Sequence, residues 1–322
     1  MTSELVIGID VGGTKVLGVA TTPSEATDTR NDSSDTATHE VPTVGRPMAD
    51  SIAAVVDHLI DVTGRQPAAI GLGLAGYISN DGIALIAPNV PSIVGVDLGA
   101  VLRQRYGVPI AIDNDANCAA RAAAAIDAPG VAHLVAITLG TGIGGGLIVD
   151  GKLVRGAHGF AGEPGHMIVD VGGPVCPCGQ RGCWEVLASG NGLGRLARRA
   201  VDDGRADAVL AAAGGDIGKV DGPLVSQLLA DGQPQAAALF DELATWVAVG
   251  LVNLANLLDP ELIVLGGGLV REGDELLDRI RRELATYPTW AKARDIEVRV
   301  SRVGHRSGAL GAALAAAELL DN

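Results

Sequence analysis

Near its N-terminus the chain reads Leu5-Val-Ile-Gly-Ile-Asp-Val-Gly-Gly-Thr-Lys-Val-Leu-Gly-Val-Ala-Thr-Thr22. The apolar run from Leu5 to Asp10 predicts a buried strand, and the run from Lys15 to Thr22 predicts a second one. Gly12 and Gly13 predict a tight turn between them, because glycine adopts the backbone conformations that such turns need. We therefore interpret the stretch as a strand, a glycine turn and a strand.

The same order of elements recurs farther along the chain. Ala132 to Leu139 predicts an apolar strand, Gly140-Thr-Gly-Ile-Gly-Gly-Gly146 predicts a turn, and Leu147 to Val149 predicts the start of another strand. The recurrence is a weak internal symmetry of supersecondary structure, without residue identity. Because strands also alternate with helical patterns elsewhere, we predict an α/β fold.

The second glycine stretch also fits the pattern G-x-G-x-x-G formally, from Gly140 to Gly145. In a dinucleotide-binding fold a helix follows this motif, whereas Leu147-Ile-Val-Asp-Gly-Lys-Leu-Val154 predicts a hairpin. We therefore reject a dinucleotide site here and interpret the stretch as a second turn that faces phosphate.

The remaining patterns predict the other elements and the domains. Helical spacing or high alanine content predicts helices at 49–62, 96–106, from 116 onward, 241–258 and from 307 onward, and short apolar runs predict strands at 69–74, 108–112 and 261–265. The polar segment 23–40 predicts an exposed loop or a hairpin extension. We expect a domain boundary near Ala116, with residues 1–116 and 305–322 in a smaller domain and residues 117–304 in a larger one.

Composition bounds the class of protein. The chain has 322 residues, of which 48% are hydrophobic and only 2% aromatic, so we expect cores built from Ala, Val, Leu and Ile. A net charge of −14 without a visible basic patch argues against nucleic-acid binding. The first residues lack a signal-peptide pattern, and Pro129 and glycines interrupt the nearly uncharged run 128–149. We therefore expect a cytoplasmic protein without a membrane span.

The first glycine turn, Asp10-Val-Gly-Gly-Thr-Lys15, combines free backbone donors with a hydroxyl and an ammonium group. The N–H groups of Gly12 and Gly13 can approach phosphate oxygens, and Thr14 and Lys15 add side-chain donors. The motif is not a Walker A loop, in which a helix follows. An ordinary hairpin turn is the alternative. If both glycine turns bind phosphate, they predict a nucleotide held between two domains.

Asp113-Asn-Asp-Ala-Asn117 lies where a predicted strand ends and a helix starts. One of these residues is expected to cap the helix, since Asn and Asp are favoured at that position. At the carboxyl end of a strand, Asn114 and Asp115 are also expected to face the crevice where ligands bind in α/β folds. An ionised aspartate can accept a proton from a hydroxyl, so Asp115 is a candidate general base.

A histidine and three clustered cysteines follow the spacing H-x9-C-x-C-x4-C. Three thiolates and an imidazole are the ligand set of a closed, tetrahedral zinc site. Disulfides are the alternative, but three clustered cysteines leave one unpaired. Two carboxylates flank the cluster, Glu163 before it and Glu185 after it. The predicted zinc ligands are His166, Cys176, Cys178 and Cys183.

Four more loops carry glycine or polar residues. Gly159-Phe-Ala-Gly-Glu-Pro-Gly-His166 is a glycine-rich turn, and Gly76 and Asn89 follow apolar strands. Gly266-Gly-Gly268 also follows a strand, where it would admit a flat group such as adenine or form a plain tight turn.

Taken together these motifs resemble the ROK family of bacterial sugar kinases. The resemblance runs through Asp10-Val-Gly-Gly-Thr-Lys15, the Asn114-Asp-Ala-Asn117 stretch, the cysteine cluster and the terminal Gly308-Ala-Leu-Gly-Ala-Ala helix. The stretch C-x-C-G-x-x-G-C-x-E at 176–185, with Gly165-His166 upstream, is the most specific of them.

The resemblance implies an actin-like, ribonuclease-H-like fold of two α/β domains around a cleft, with ATP and Mg²⁺ as phosphoryl donor and metal. It implies phosphorylation of a hexose at the 6-hydroxyl, glucose being the first candidate, with Asp115 as catalytic base. Sugar hydroxyls would be bound by Gly76, Asn89, Asn114, Asp115, Glu163, His166 and Glu185. The nucleotide would be bound by Asp10, Gly12, Gly13, Thr14, Lys15, Thr141, Gly142, Gly266, Gly267 and Gly268. The zinc would be structural, and family members are commonly dimers or tetramers.

The chain departs from the family pattern at three places. Asp113 replaces the usual glutamate, segment 23–40 is longer and more polar than usual, and Gly304-His-Arg-Ser307 replaces an acidic segment before the last helix. Two alternatives to a glucose kinase stay open. One is a kinase for fructose, mannose, an N-acetylhexosamine or allose, and the other is a non-catalytic sugar-sensing protein on the same fold. Repressors of the family carry an N-terminal helix-turn-helix, whereas this chain starts directly with its first strand.

Overall fold

The computed structural model of the protein describes residues 4–27, 36–43, 46–270, 275–288 and 296–321. Its strands are β1 (Val6–Val11), β2 (Lys15–Thr21), β3 (Ala37–Pro42), β4 (Ala69–Leu74), β5 (Tyr77–Ile78), β6 (Ala84–Ile86), β7 (Ile110–Asn114), β8 (Leu134–Leu139), β9 (Ile143–Val149), β10 (Lys152–Leu153), β11 (Leu262–Gly266) and β12 (Glu297–Val300). Its α-helices are α1 (Pro23–Ala26), α2 (Met48–Thr63), α3 (Leu98–Tyr106), α4 (Asp115–Ile126), α5 (Glu185–Ala188), α6 (Gly190–Asp202), α7 (Asp207–Ala212), α8 (Gly222–Ala230), α9 (Pro234–Leu258), α10 (Glu275–Leu284) and α11 (Ser307–Glu318). Short 3-10 helices cover Pro91–Ile93, Pro164–His166, Ile217–Lys219 and Gly304–Arg306.

The first sheet has five strands in the order β3-β2-β1-β4-β7. β1 and β2 are antiparallel, with Val11 paired to Val16 beside the turn, which confirms the predicted strand, turn and strand. β4 pairs in parallel with both β1 and β7. Because these three strands run in one direction, the end of β1 with Asp10 and the end of β7 with Asn114 lie at the same edge of the sheet.

Helix α11 packs closely on this sheet because small residues meet at the contact. A Cβ atom added to Gly8 of β1 would lie 2.0 Å from the carbonyl oxygen of Ala309. Gly311 is as tightly placed against α4, since its Cβ would lie 1.7 Å from the carbonyl oxygen of Cys118. Any side chain at these glycines would force the backbones apart. The chain has few aromatic side chains to fill a core, and here the core is packed by bringing backbones close together.

The chain divides into two compact units. The first unit contains residues 1–136, 146–162 and 302–322, and the second contains residues 137–145 and 163–301. Ala116, where we expected the domain boundary, lies in α4 within the first unit. The domain limits drawn from the sequence, 1–116 with 305–322 and 117–304, stay a prediction.

The second sheet has the strand order β10-β9-β8-β11-β12, with β11 parallel to β12. β9 and β10 are antiparallel, with Val149 opposite Lys152, so a hairpin and not a helix follows the second glycine stretch. The prediction that all of 140–146 is turn is wrong, because β9 already begins at Ile143. The last glycine of the stretch instead meets a helix, since a Cβ on Gly146 would lie 2.4 Å from Ala120 Cβ of α4.

The polar segment 23–40 contains more regular structure than a loop. Its last part enters β3, which pairs antiparallel with β2 at the edge of the first sheet, so the alternative of a hairpin extension is confirmed for this part. Its first part forms α1, where Thr22 accepts from the Glu25 N–H and the Glu25 carboxylate accepts from the Thr22 N–H. This capping box is a local start signal that the prediction of an exposed loop overlooked. Residues 28–35 lie outside the described residues.

Helix α9 forms the core of the second unit. It begins at Pro234 instead of at the predicted Asp241, and it buries Phe240 and Leu251. The indole of Trp184 packs on Gly250, whose Cβ would lie 2.0 Å from the ring, and its N–H donates to the carbonyl oxygen of Trp246 at 2.7 Å. By length and composition α9 could span a membrane, but 56% of its most apolar window is buried inside the protein. Such burial is typical of a core helix.

Candidate functional site

The first glycine turn lies against one of the predicted sugar residues. The Gly12 N–H donates to the carbonyl oxygen of Lys15 at 3.0 Å and closes the turn. A Cβ on Gly13 would lie 2.9 Å from the carbonyl oxygen of Asn89. The hydroxyl of Thr43 donates to the carbonyl oxygen of Gly13 at 2.7 Å. Only a residue without a side chain fits at Gly13, and the turn and the Asn89 loop are therefore neighbours in the first unit.

Lys15 has a partner that the sequence analysis did not anticipate. Its Nζ lies 2.6 Å from Glu40 Oε2 of β3, and both side chains are nearly half exposed. An exposed ion pair of this kind contributes little to stability. The assignment of Lys15 to phosphate binding stays a prediction, and it requires the ammonium group to exchange Glu40 for a phosphate.

Asn114 is the N-cap of α4, and its side chain is held from both ends. Its Oδ1 accepts from the Asn117 N–H at 3.0 Å, and its Nδ2 donates to the carbonyl oxygen of Gly76 at 2.9 Å. Gly76 has φ of 136°, and a Cβ there would lie 2.2 Å from the carbonyl oxygen of Ile86. The capping role is therefore real, and two predicted sugar residues, Gly76 and Asn114, are in direct contact.

A buried carboxylate orders the first turn of α4. Asp113 Oδ1 accepts from the Asn114 N–H at 2.9 Å and from Asn117 Nδ2 at 3.0 Å. Its Oδ2 accepts from both Nε and Nη2 of Arg155, the former at 3.0 Å, and Arg121 Nη2 lies 3.8 Å away. The side chain of Asp113 is only 6% exposed, so these donors are what make its charge tolerable. The turn that carries the candidate base is thereby fixed.

Arg155 belongs to a segment that the sequence analysis did not assign to the site. Its partner lies 42 positions earlier in the chain, so no local spacing reveals the pair. From the sequence, Asp113 was a possible helix cap and a departure from a family pattern, and no partner was predicted for it. The signal that could have found the pair is the chemistry of Asp113 itself, since a carboxylate at the end of a buried strand requires a cationic or N–H partner.

Replacing Arg155 with alanine is expected to destabilise the protein by about 1–2 kcal/mol, because Asp113 loses its strongest donors while it stays buried. The matched control is Arg105→Ala, which removes an ion pair of 2.6 Å to Asp57 whose side chains are about half exposed. We expect a loss below about 1 kcal/mol for this control. Urea unfolding of both variants measures the difference. Equal losses would show that the Asp113–Arg155 pair is an ordinary surface contact.

Among the described residues of the first unit, Asp10 and Asp115 are the two carboxyl groups with raised pKa values. Burial, together with repulsion from Asp115, raises the pKa of Asp10 to about 7, although Lys15 opposes the shift. Burial raises the pKa of Asp115 to about 6, against the hydrogen bond that its Oδ1 accepts from the Ala116 N–H at 2.9 Å. The end of β1 and the start of α4 therefore bring together two carboxyl groups that repel each other when ionised. Such a pair favours a bound cation or a shared proton.

The raised pKa of Asp10 predicts how stability depends on pH. A carboxyl with a raised pKa stabilises the fold fully below its ordinary pKa, and that stability is lost as the pH rises through about 7. Asp10→Asn is therefore expected to unfold at a higher temperature than the wild type at pH 8, by a few degrees for a gain of about 1–2 kcal/mol. The gain should shrink at pH 5. Scanning calorimetry at both pH values, with the exposed Asp61→Asn on α2 as control, tests this, and a gain that does not change with pH would refute it.

In the second unit, two predicted ligand residues, Gly142 and Glu185, lie against Ile143 at the start of β9. Glu185 Oε2 accepts from the Ile143 N–H at 3.0 Å, and a Cβ on Gly142 would lie 2.2 Å from the same carboxylate oxygen. On the other side, a Cβ on Gly165 would lie 2.3 Å from the carbonyl oxygen of Ile143. Gly165 lies in the 3-10 helix Pro164–His166, directly after Glu163. The second glycine turn and the residues predicted to bind sugar therefore share one backbone support.

The glycine turn at 140–142 also borders the predicted nucleoside loop. The Gly190 N–H, at the start of α6, donates to the carbonyl oxygen of Gly140 at 2.8 Å. Gly267 has φ of 95°, and a Cβ there would lie 2.3 Å from the carbonyl oxygen of Leu139. Gly268 would meet nothing within 4 Å, and Thr141 is exposed. The loop after β11 and the turn after β8 are thus adjacent, with open space at Gly268.

The histidine and the three cysteines come together as predicted for a metal site. Their ligand atoms all lie within 4.8 Å of one another, in the set His166, Cys176, Cys178 and Cys183. The sulfurs of Cys178 and Cys183 are 3.6 Å apart, and Cys176 Sγ is 3.9 Å from His166 Nδ1. A tetrahedral zinc ion with Zn–S distances near 2.3 Å requires ligand separations of about 3.8 Å. The four residues therefore fit zinc, and all the cysteines are free thiols.

The loop of the cluster depends on its glycines. Gly179 and Gly182 have φ of 92° and 73°, which lie in the region that favours glycine. A Cβ on Gly182 would lie 1.5 Å from the carbonyl oxygen of Asp170. The Trp184 N–H, one residue after the cluster, donates to the carbonyl oxygen of Met167 at 2.7 Å. The cluster is thus connected on one side to His166 and on the other to Glu185.

The chain is similar to known proteins over nearly its whole length. Residues 6–318 match the ROK family. A glucokinase of Streptomyces coelicolor is 36% identical over 317 residues, covering 96% of each protein. An N-acetylmannosamine kinase of Citrobacter koseri is 30% identical over 312 residues, covering 96% of this chain and 98% of the relative. The structure of a ROK family glucokinase from Streptomyces griseus, in complex with glucose and AMPPNP, matches with a TM-score of 0.80 at 34% identity, covering 98% of this chain and 99% of that one.

The class of protein follows from this match and from the two sheets with their glycine turns. The fold is the actin-like, ribonuclease-H-like ATPase fold, built from two α/β domains. The chain belongs to the ROK family, as its motifs indicated.

Proposed function

We propose that the protein transfers the terminal phosphoryl group of ATP to the 6-hydroxyl of a hexose, with glucose as the preferred acceptor. Asp115 is the residue on which the proposal rests most. Its carboxylate lies at the carboxyl end of β7, in a turn fixed by Asp113, and its pKa is about 6. Such a group is ionised at neutral pH and still basic enough to accept a proton. The relatives named above, which include a glucokinase bound to glucose and AMPPNP, support the same reaction.

Seven residues with polar side chains or an open backbone are proposed to bind the sugar, namely Gly76, Asn89, Asn114, Asp115, Glu163, His166 and Glu185. Amide, carboxylate and imidazole groups can each accept from or donate to a hydroxyl, so the set suits a molecule with several hydroxyls.

The nucleotide would be held by the backbone donors of the glycine turns. The proposed nucleotide-binding residues are Gly12, Gly13, Thr14, Lys15, Thr141, Gly142 and Gly266 to Gly268. Asp10 would hold the Mg²⁺ that accompanies the nucleotide, because a carboxylate whose pKa is raised by burial and by the neighbouring Asp115 is stabilised in its charged form by a cation. The metal supplies charge neutralisation at the phosphates.

In the reaction the protein mainly positions groups and stabilises charge. The Asp115 carboxylate would accept a hydrogen bond from the acceptor hydroxyl and take its proton as the new O–P bond forms and the bond to the ADP oxygen breaks. The network around Asp113 would keep this carboxylate in place. The N–H groups of the glycine turns would donate to the phosphate oxygens.

A zinc ion bound by His166, Cys176, Cys178 and Cys183 would have a structural role, since four protein ligands leave no open position. A histidine that binds zinc through Nδ1 can still donate through Nε2–H. The ion would therefore orient His166 and, through the short connection from Cys183, Glu185 as well. We further propose a cytoplasmic location and assembly as a dimer or tetramer, as is common in the family.

A kinase for another hexose is the second candidate, because an N-acetylmannosamine kinase is 30% identical to the chain. An assay of ADP release with ATP and a panel of hexoses separates the candidates. We expect the highest kcat/KM for glucose among glucose, fructose, mannose, allose, N-acetylglucosamine and N-acetylmannosamine. A higher value for another sugar would reassign the acceptor, and the absence of ADP release with every sugar would support the non-catalytic alternative.

A further inference from the structure

A second concave site lies in the second unit, apart from the residues proposed for sugar, nucleotide and zinc. It is a cavity of about 380 Å³ between the zinc loop, the start of α6 and the middle of α9. Its charged lining consists of Arg181, Arg195, Arg199 and Asp170. The protein as a whole has a net charge of −14, so a cavity with three cations and one anion is locally of the opposite sign.

Within the described part of the chain, the guanidinium groups of the three arginines form no ion pair with a carboxylate, although Asp170 lines the same cavity. The Asp170 carboxylate instead accepts from the Gly172 N–H at 3.0 Å. Arginine is the side chain whose planar donors match carboxylate and phosphate oxygens. Three such groups beside one cavity therefore indicate an anionic ligand.

Two of the guanidinium groups are held in position by the backbone. Arg181 Nη1 donates to the carbonyl oxygen of Gly173 at 3.0 Å, and Arg195 Nη1 donates to the carbonyl oxygen of Val186 at 2.8 Å. Each bond uses one of the five N–H donors of a guanidinium group and leaves others for a ligand. Arg199 lies one helical turn after Arg195 on α6 and is exposed. The cationic side of the cavity is thus partly preorganised.

The other side of the cavity is apolar. Leu187 and Leu196 line this side and are buried, with exposed fractions of 6% and 5%. Trp246 adds a partly buried indole. An inorganic ion alone would leave these walls in contact with water. A ligand that joins an oxyanion to a small apolar or aromatic group would use both sides.

We propose that this cavity binds a small organic oxyanion, a phosphate monoester or a carboxylate, with its charged group at Arg181, Arg195 and Arg199. The apolar part of the ligand packs on Leu187, Leu196 and Trp246. The site is independent of the proposed kinase reaction, because none of the residues assigned to that reaction lines the cavity.

Isothermal titration calorimetry with phenyl phosphate tests the proposal. The full-length protein is first saturated with glucose and AMPPNP, so that binding at the proposed active site does not contribute. We expect one further site, and we expect Arg199→Gln to weaken phenyl phosphate binding at least about fivefold. Arg199 is exposed and makes no side-chain hydrogen bond within the described residues, so this variant should keep the wild-type melting temperature. The matched control is Arg205→Gln, which removes an exposed arginine paired with Asp203 and should leave binding unchanged.

Two parallel titrations distinguish the ligand chemistry. Tighter binding of phenyl phosphate than of benzoate identifies a phosphate monoester, and the reverse order identifies a carboxylate. The proposal fails if neither compound binds, if Arg199→Gln binds as tightly as the wild type, or if inorganic phosphate binds as tightly as phenyl phosphate. Because the readout is binding and not turnover, these results do not depend on whether the kinase assignment holds.

Discussion

Asp115→Asn is expected to lower kcat for glucose phosphorylation by about a thousandfold, within the range that loss of a general base produces. The asparagine keeps the size of the side chain and the acceptor for the Ala116 N–H, which Asp115 Oδ1 now binds at 2.9 Å. It removes the only feature that the mechanism needs, an ionised oxygen that can take a proton. Glucose affinity, measured by calorimetry, should therefore change by no more than about threefold, since a neutral amide still accepts a hydrogen bond.

The pH profile gives the same prediction a second readout. Because the pKa of Asp115 is about 6, kcat/KM of the wild type should fall below pH 6 as the carboxylate becomes protonated. This acid limb should be absent from the residual activity of Asp115→Asn. The matched control is Asp61→Asn, the same chemical change at an exposed position of α2, which should keep wild-type rates. Near-normal turnover of Asp115→Asn would remove Asp115 from the role of base.

Cys178→Ala is expected to abolish zinc binding and to raise the dissociation constant for glucose by about tenfold or more, the range seen when support of a metal site is lost. Cys178 is exposed and lies in the loop between His166 and Glu185. Without the ion, the loop keeps its backbone bonds but loses the constraint that joins His166 to the three sulfurs. The sugar ligands would then be ordered only when sugar binds, and that ordering costs affinity.

Elemental analysis and glucose calorimetry on the same preparation measure both parts of this prediction. The control is Gln180→Ala in the same loop. The Gln180 carbonyl oxygen accepts from the Cys176 N–H at 2.8 Å, and its side chain makes no hydrogen bond within the described residues. It should keep one zinc ion per chain and the wild-type glucose affinity. If Cys178→Ala loses the ion and binds glucose as tightly as before, the cluster stabilises the fold and has no part in sugar binding.

The parts of the fold that repeat a local pattern could be predicted from the sequence. The strands on both sides of Gly12-Gly13 and the hairpin after the second glycine stretch occur where alternation and turn residues indicated them. The predicted extent of the second turn, 140–146, was wrong because glycine can either allow a turn or leave room for a neighbouring group. At Gly142 it leaves room for the Glu185 carboxylate, whereas at Gly146 it lets a helix approach a strand. Local sequence does not distinguish a turn from a close tertiary approach.

The candidate site shows the same limit. The cluster of His166 with three cysteines could be predicted because the residues are close in sequence and their chemistry is specific. The Asp113–Arg155 pair could not be predicted, because it joins positions that only the folded first unit brings together. One residue of 113–117 was expected to cap α4, and Asn114 was also expected to face a ligand. The structure shows that Asn114 is the cap, with its Oδ1 accepting from the Asn117 N–H and its Nδ2 donating to Gly76. The contact with sugar therefore stays a prediction.

The most direct test of the account is to follow ATP, ADP and sugar phosphate together by ³¹P NMR, with the purified protein, glucose, ATP and Mg²⁺. We predict one glucose 6-phosphate for each ADP formed, and product formation about a thousandfold slower with Asp115→Asn. Formation of ADP without sugar phosphate, phosphorylation at a hydroxyl other than the 6-hydroxyl, or undiminished product with the variant would contradict the assignment of Asp115 as the base that activates the 6-hydroxyl.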